Sequence, residues 1–186
     1  MLTAPHAERV EFYKFKYAVS MFAEARSVLS YIKEHQVDSS HPLHHSLWTA
    51  FYVFYSKPFK QRTAIKLDTI IVPDEHRDDH KAIITLRDKM FAHSDLDDLA
   101  SDSGEPLNAI IVSFHGGPPT FGFRFLHPRG DQVDRFGELV DKLIQKASFH
   151  AAKPWNRWAR KLKVARGGQY RFNTSKESGA LLKPLK

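Results

Sequence analysis

The residues best suited to chemistry gather in one short run, Arg87-Asp-Lys-Met-Phe-Ala-His93-Ser-Asp95. Cleavage of RNA by its own 2′-hydroxyl needs a base of near-neutral pKa, an acid for the leaving oxygen and a fixed positive charge on the phosphate. A histidine fills the first two roles in turn, and an arginine fills the third with paired donors. On a regular helix, six residue steps set Arg87 and His93 about 120° apart and about 9 Å along the axis. They meet one phosphate only if the helix ends near Ala92 and turns the imidazole, or if two protomers contribute across a twofold axis. The same residues also have a structural reading. His93 continues the stripe of Ile83, Leu86 and Met90, so it would close the helix C-terminus as a core histidine, with Arg87 or Asp95 as its ion-pair partner.

Two further constellations invite a metal and are better read as surface. His76 and His80 have the i,i+4 spacing of a two-histidine site, with Asp79 between them and His44-His45 elsewhere. No Glu follows His76 as a metalloprotease would require, and a solvated first helical turn is the expectation. Asp95, Asp97, Asp98, Asp102 and Glu105 lack the spacing and glycine of a calcium loop and read as a solvated loop. The chain has no Cys, which excludes disulfides, thiolate zinc sites and a cysteine nucleophile. Neither metal nor cofactor is expected.

Apolar periodicity supplies the elements that would carry the motif. Phe15, Ala18, Phe22, Ala25, Leu29 and Ile32 recur at steps of three and four, which predicts a long amphipathic helix over about 7–36. His41-Pro42 opens a second helix with Leu43, Leu47, Phe51 and Phe54 on one side, ending at Pro58. Within the connector 59–73, Thr69-Ile-Ile-Val72 reads either as a strand or as a cover for the core. Pro73-Asp74 with Glu75, Asp78 and Asp79 starts a third helix near residue 75. Residues 107–114 and 120–126, joined by His115-Gly-Gly-Pro-Pro119, read as two strands of a hairpin. Gly130-Asp131 opens a last helix with Val133, Phe136, Val140, Leu143 and Ala147 on one side, until Pro154 interrupts it.

Charge is unevenly spread. Residues 153–186 hold ten Lys/Arg against the single acid Glu177, whereas the rest of the chain holds 18 basic and 20 acidic side chains. Such a segment reads either as a nucleic-acid-binding arm or as a solvated tail. Inside it, Trp155, Trp158 and Leu162 share one side of a short helix whose other positions include Arg157, Arg160, Lys161 and Lys163, with Arg166 beyond. Packing on the body, lying on a membrane surface, and contacting RNA with aromatic stacking all fit that pattern. Past Gly167-Gly168 the chain shows little periodicity and would order only on a partner. Met1–Arg9 lacks a basic segment followed by an apolar run, and no stretch approaches the roughly 18 apolar residues of a span. A cytoplasmic protein without membrane contact is the expectation.

Thr85-Leu-Arg-Asp-Lys-Met-Phe-Ala-His-Ser-Asp95 resembles the Arg-polar-(x)n-His motif of the HEPN superfamily, in particular its abortive-infection (AbiU-type) branch, which often reads Leu-Arg-Asp/Asn-x-x-x-Ala-His-x-Asp. Leu47-Trp48 and Tyr55-Ser-Lys-Pro-Phe59 are also similar to that branch, where a Trp-bearing helix ends in Tyr-x-Arg/Lys-Pro-Phe. The resemblance covers roughly residues 45–95. It implies a helical domain that dimerises through its motif-bearing helices and, in active members, cleaves RNA without metal. By position Arg87 is the family arginine, Asp88 the polar residue after it and His93 the family histidine. Five residues separate the pair here where four are commoner, a change that rotates His93 by about 100°. The expected architecture is mainly α (α+β): a four-helix HEPN-like bundle over 1–153, with a β-hairpin at about 107–126 between the third and fourth helices. A basic, partly disordered arm over 154–186 would carry RNA contacts through Trp155, Arg157, Trp158, Arg160, Lys161, Lys163 and Arg166. The function expected is an endoribonuclease or RNA-binding protein of the prokaryotic defence or toxin–antitoxin type. It would form a homodimer, and a neutralising protein would be its partner. The alternative is a catalytically silent helical dimer acting as an interaction module.

Overall fold

Two helices of 29 residues each, α1 (His6–Glu34) and α4 (Asp131–Ala159), form the spine of the fold. The computed structural model describes residues 4–61, 64–91, 108–114, 117–125, 128, 130–160, 170–176 and 181–184. Within them the chain is mainly helical. α1 buries one stripe, from Arg9 and Phe12 through Phe15, Ala18, Phe22, Ala25 and Leu29 to Ile32, at the three-and-four spacing of a helix facing a core. α4 lies antiparallel beside it. Arg157 reaches Glu8 at one end (3.2 Å), Lys33 reaches Asp134 at the other (2.6 Å), and Arg26 pairs with Asp141 between them (2.9 Å). These exposed pairs set register more than stability. The apolar seam between the helices, with Phe22, Leu29, Leu139, Val140, Leu143 and Ala147 buried, holds the core together.

Helix α2 (His44–Ser56) departs from its expected phase. Its buried side is Trp48, Phe51, Tyr52, Tyr55 and Ser56; of the expected side Phe51 is fully buried, Leu47 and Phe54 are half-buried against the core, and Leu43 is exposed. His41, Pro42 and Leu43 form a turn ahead of the helix, in which His41 N–H donates to the Asp38 carbonyl and Leu43 N–H to His41 Nδ1. The helix therefore starts after Leu43, and the large rings turn inward because they remove the most apolar surface from water. Phe51 stacks on Phe136 of α4 at 5.9 Å, and Tyr55 meets Phe22 of α1 at the same distance.

Thr69–Ile71 is a 3₁₀ turn whose first N–H groups are met by Asp68 Oδ1 on Ile70 N. Ile71 and Val72 are buried beneath it and Ile70 points outward. Of the two readings of this run, the structure takes the cover. A second 3₁₀ turn, Asp74–His76, leads into α3 (Arg77–Phe91). Between α3 and α4, strands β1 (Asn108–Ser113) and β2 (Thr120–Phe125) pair antiparallel, with Asn108 opposite Phe125 and Ser113 opposite Thr120. α4 then begins beyond Gly130, whose φ of +55° is a conformation that side chains disfavour.

Pro154 does not end α4. The helix runs on to Ala159, so a boundary between a body at 153 and an arm at 154 would fall inside one element. An internal proline costs roughly 3 kcal/mol. The same turns bury Ala151, Pro154 and Trp158, and each large buried side chain contributes about 1.5–3 kcal/mol, which offsets that cost. The chain then returns as β3 (Tyr170–Phe172) and β4 (Leu182–Pro184), which pair antiparallel. Phe172 packs on Phe12 at 4.9 Å and on Trp158 at 6.0 Å, and Leu181 is fully buried. Arg9, itself buried, donates to the carbonyls of Asn173 (2.9 Å) and Ser175 (3.0 Å). These parts of the basic segment order on their own chain, where the sequence suggested order only on a partner.

Candidate functional site

The last turns of α3 hold the motif's first two residues. Arg87 and Asp88 are both partly open to solvent, at 33% and 35% side-chain exposure. Arg87 Nη1 donates to Asp88 Oδ1 at 2.9 Å, and Lys60 Nζ donates to Asp88 Oδ2 at 2.5 Å. Lys60 reaches this place because the chain turns just past α2, with its own N–H on the Ser56 carbonyl. Sequence reasoning left Lys60 unremarked, and nothing in its local pattern marks it. Partial burial pushes the Asp88 carboxyl up, but the hydrogen bonds from Lys60 and Arg87 outweigh this and hold it below its ordinary value. The result is one carboxylate clamped by two cations, a trio in which positive charge exceeds negative. Of the expected stripe, Ile83 is fully buried and Leu86 half-buried. His93 and Asp95 lie outside the described residues, as do the loop acids Asp97, Asp98, Asp102 and Glu105.

The other end of α3 overturns an expectation. His76 and His80 are buried, not solvated. His76 Nδ1 lies 3.0 Å from Asp79 Oδ2, and Arg135 of α4 reaches Asp79 Oδ1 at 2.9 Å. A buried carboxylate is tolerable when paired and hydrogen-bonded in this way. His80 shares a hydrogen bond of 2.8 Å with the Tyr55 hydroxyl and presses its ring edge on Phe59 at 4.7 Å. Burial, together with the nearby Lys60 charge, pushes the His80 imidazole down to about 4. Burial and then the Asp79 charge push the Tyr55 hydroxyl up. Both are therefore neutral near pH 7. This polar cluster ties α2, α3 and α4 together, and it was missed because its partners are 25 and 56 residues apart in sequence. No group of three or more His, Cys, Asp or Glu able to hold a metal occurs among the described residues.

The expected RNA-contacting residues of the C-terminal segment divide. Trp158 is only 3% exposed and meets Phe12 edge-on at 5.4 Å, so it is core and cannot stack on a base. Trp155, 39% exposed, stacks on Phe12 at 5.7 Å. Arg157 is engaged by Glu8. Arg160 is exposed at the end of α4, and Lys161, Leu162, Lys163 and Arg166 lie outside the described residues. Packing on the body is thus the reading of the Trp pair that the structure carries. Among the described residues, no helix is long and apolar enough to cross a membrane. Comparison with protein-family models, with curated proteins and with solved structures gives no match, so any family likeness rests on the chain's own residues.

Proposed function

We propose that this chain is an HEPN-like, metal-independent endoribonuclease or RNA-binding protein of the prokaryotic defence or toxin type. The observation that carries the reading is the state of Arg87. Its guanidinium sits at the solvent side of the last turns of α3, beside Lys60 and Asp88, and is not sealed in the core. A phosphate approaching there would meet two cations, and the arginine would offer it paired donors. In this reading His93 acts as general base and then general acid, Asp88 orients Arg87, and no metal takes part. A second copy of the chain supplies the partner pair across a twofold axis, and a neutralising protein would act by covering the same helix end. The silent interaction module also has an observation in its favour: Arg87 already has a carboxylate partner in Asp88, which satisfies it without any substrate.

One experiment separates the two. Incubation with single-stranded RNA should yield products bearing a 2′,3′-cyclic phosphate, in EDTA as in its absence. His93→Ala should lose at least about 100-fold in rate while keeping its melting temperature, since a positioned proton-transfer group is worth about 10²–10⁴. Arg87→Lys should fail as well, because an ammonium lacks the fork of donors. Unchanged cleavage by a folded His93→Ala variant overturns the assignment.

A further inference from the structure

Two cavities of about 550 and 520 Å³ lie on either side of the 3₁₀ turn Thr69–Ile71, and both are walled by Asp68 and Ile70. Their sizes are those of ligand sites. The first is a groove between α1 and α4. Its floor is the ring of Phe15 with His150 stacked on it at 4.7 Å. Its rim is Phe149, 62% exposed, and Ile70, 81% exposed. Exposed apolar side chains are ordinary on a protein surface, and the cations around these two set them apart. Lys14 and Lys146 line the groove, and Lys153 lies over the Phe149 ring at 4.6 Å. Among the described residues no acid pairs with any of the three, and Asp68, the one acid in the wall, is turned to the Ile70 N–H.

The second cavity continues the path. It runs from Ile70 along Arg77, Lys81, Ile84 and Thr85 of α3. Residues 81, 84 or 85, and 88 share one helix face, so the next turn on that face is Asp88 with its clamp of Arg87 and Lys60. Arg77 and Lys81 stand in exposed i,i+3 pairs with Asp74 and Asp78, which are weak enough to open to a phosphate.

We infer that these two cavities form one track for single-stranded RNA, with bases stacking at Phe149 and His150, phosphates met by Lys14, Lys146 and Lys153, and the strand led over Ile70 to the Arg87 end of α3. Flat rings interleaved with lysines that no described acid pairs are what base stacking and phosphate attraction require, and they give no sequence preference. Lys14 lies over the Phe15 ring and Lys153 over the Phe149 ring, an alternation of ring and cation that suits a nucleotide strand and that an acidic amphipathic helix does not require. The direction of the track rests on the ribonuclease reading, whereas binding in the groove can be measured without it.

The test uses a 2′-O-methyl single-stranded oligonucleotide, which cannot be cleaved by its own hydroxyl, and fluorescence anisotropy with the full chain. Phe149→Ala should weaken binding by at least about fivefold. The triple change Lys14→Gln, Lys146→Gln, Lys153→Gln should lower the slope of log affinity against log salt by about 2. Phe149, Lys146 and Lys153 are exposed and Lys14 is half-buried, and unchanged melting temperatures verify the fold of each variant. Wild-type protein that binds the oligonucleotide with both variants unaffected overturns the track and leaves the ribonuclease reading untouched. Binding that depends on the groove, without cleavage of 2′-hydroxyl RNA, sinks the ribonuclease reading and keeps the track. Wild-type protein that ignores the oligonucleotide overturns the track, and capture of polyglutamate instead would assign the groove to an acidic peptide.

Discussion

His80 carries an imidazole among the rings of Tyr55 and Phe59, and it enters the folded state uncharged. Its ordinary value of 6.5 falls to about 4 on folding, through burial first and the Lys60 charge second. Below 6.5 the unfolded chain therefore binds a proton that the folded chain refuses, so stability is full above that pH and is lost as pH falls toward 4. His80→Gln keeps a hydrogen-bonding group for Tyr55 and removes the titration. Melting temperature plotted from pH 7 to 4 should fall less steeply for this variant than for wild type. Parallel curves would show that His80 is not the group responsible. Nothing in the local sequence could have given this burial. His76, Asp79 and His80 look like a charged first turn, and it is Tyr55, Phe59 and Arg135, brought up from elsewhere in the chain, that make that turn an interior one. Arg9 is the opposite case. Its place three residues before Phe12 puts it in phase with the apolar stripe of α1, so its burial could have been read from spacing.

At the scale of elements, the helices that expose one clear stripe were legible, and the aromatic-rich one was not. In α1 and α4 the apolar residues, Phe15, Phe22 and Phe136 among them, recur at steps of three and four with charged residues on the other sides, which identifies the buried face. In α2, Trp48, Tyr52 and Tyr55 compete with Leu43, Leu47 and Phe54 for the inside, and the wider rings win. Strands β3 and β4, three residues each, are too short for period-two alternation to register. Their docking onto α1 has an energetic consequence. Arg9→Ala removes both donors to the carbonyls of Asn173 and Ser175, and a buried acceptor left unmet costs about 1–3 kcal/mol. Urea unfolding should show a lower midpoint and a loss of unfolding free energy of that size, with no change in a variant at exposed Lys16. An Arg9→Ala midpoint equal to wild type would mean that the C-terminal strands contribute nothing to the fold.

For the whole molecule, the mainly helical architecture followed from periodicity, while the pairing of Arg87 with His93 was left to assembly. The phase mismatch between them on one helix motivates a dimer with α3 near the twofold axis. Light scattering at micromolar concentration should then report about twice the chain mass of 21.4 kDa. A strict monomer would remove any shared active site. The contact between Arg9 and Asn173 spans 164 positions of sequence, and it sets an order of events during synthesis. Translation proceeds at about 5–20 residues per second. Arg9 is therefore made roughly 8–33 s before the first residue that meets its buried guanidinium. Through that interval Arg9 must remain hydrated at the edge of an unfinished stripe of Phe12 and Phe15, a window in which a chaperone has more to hold than at any later time.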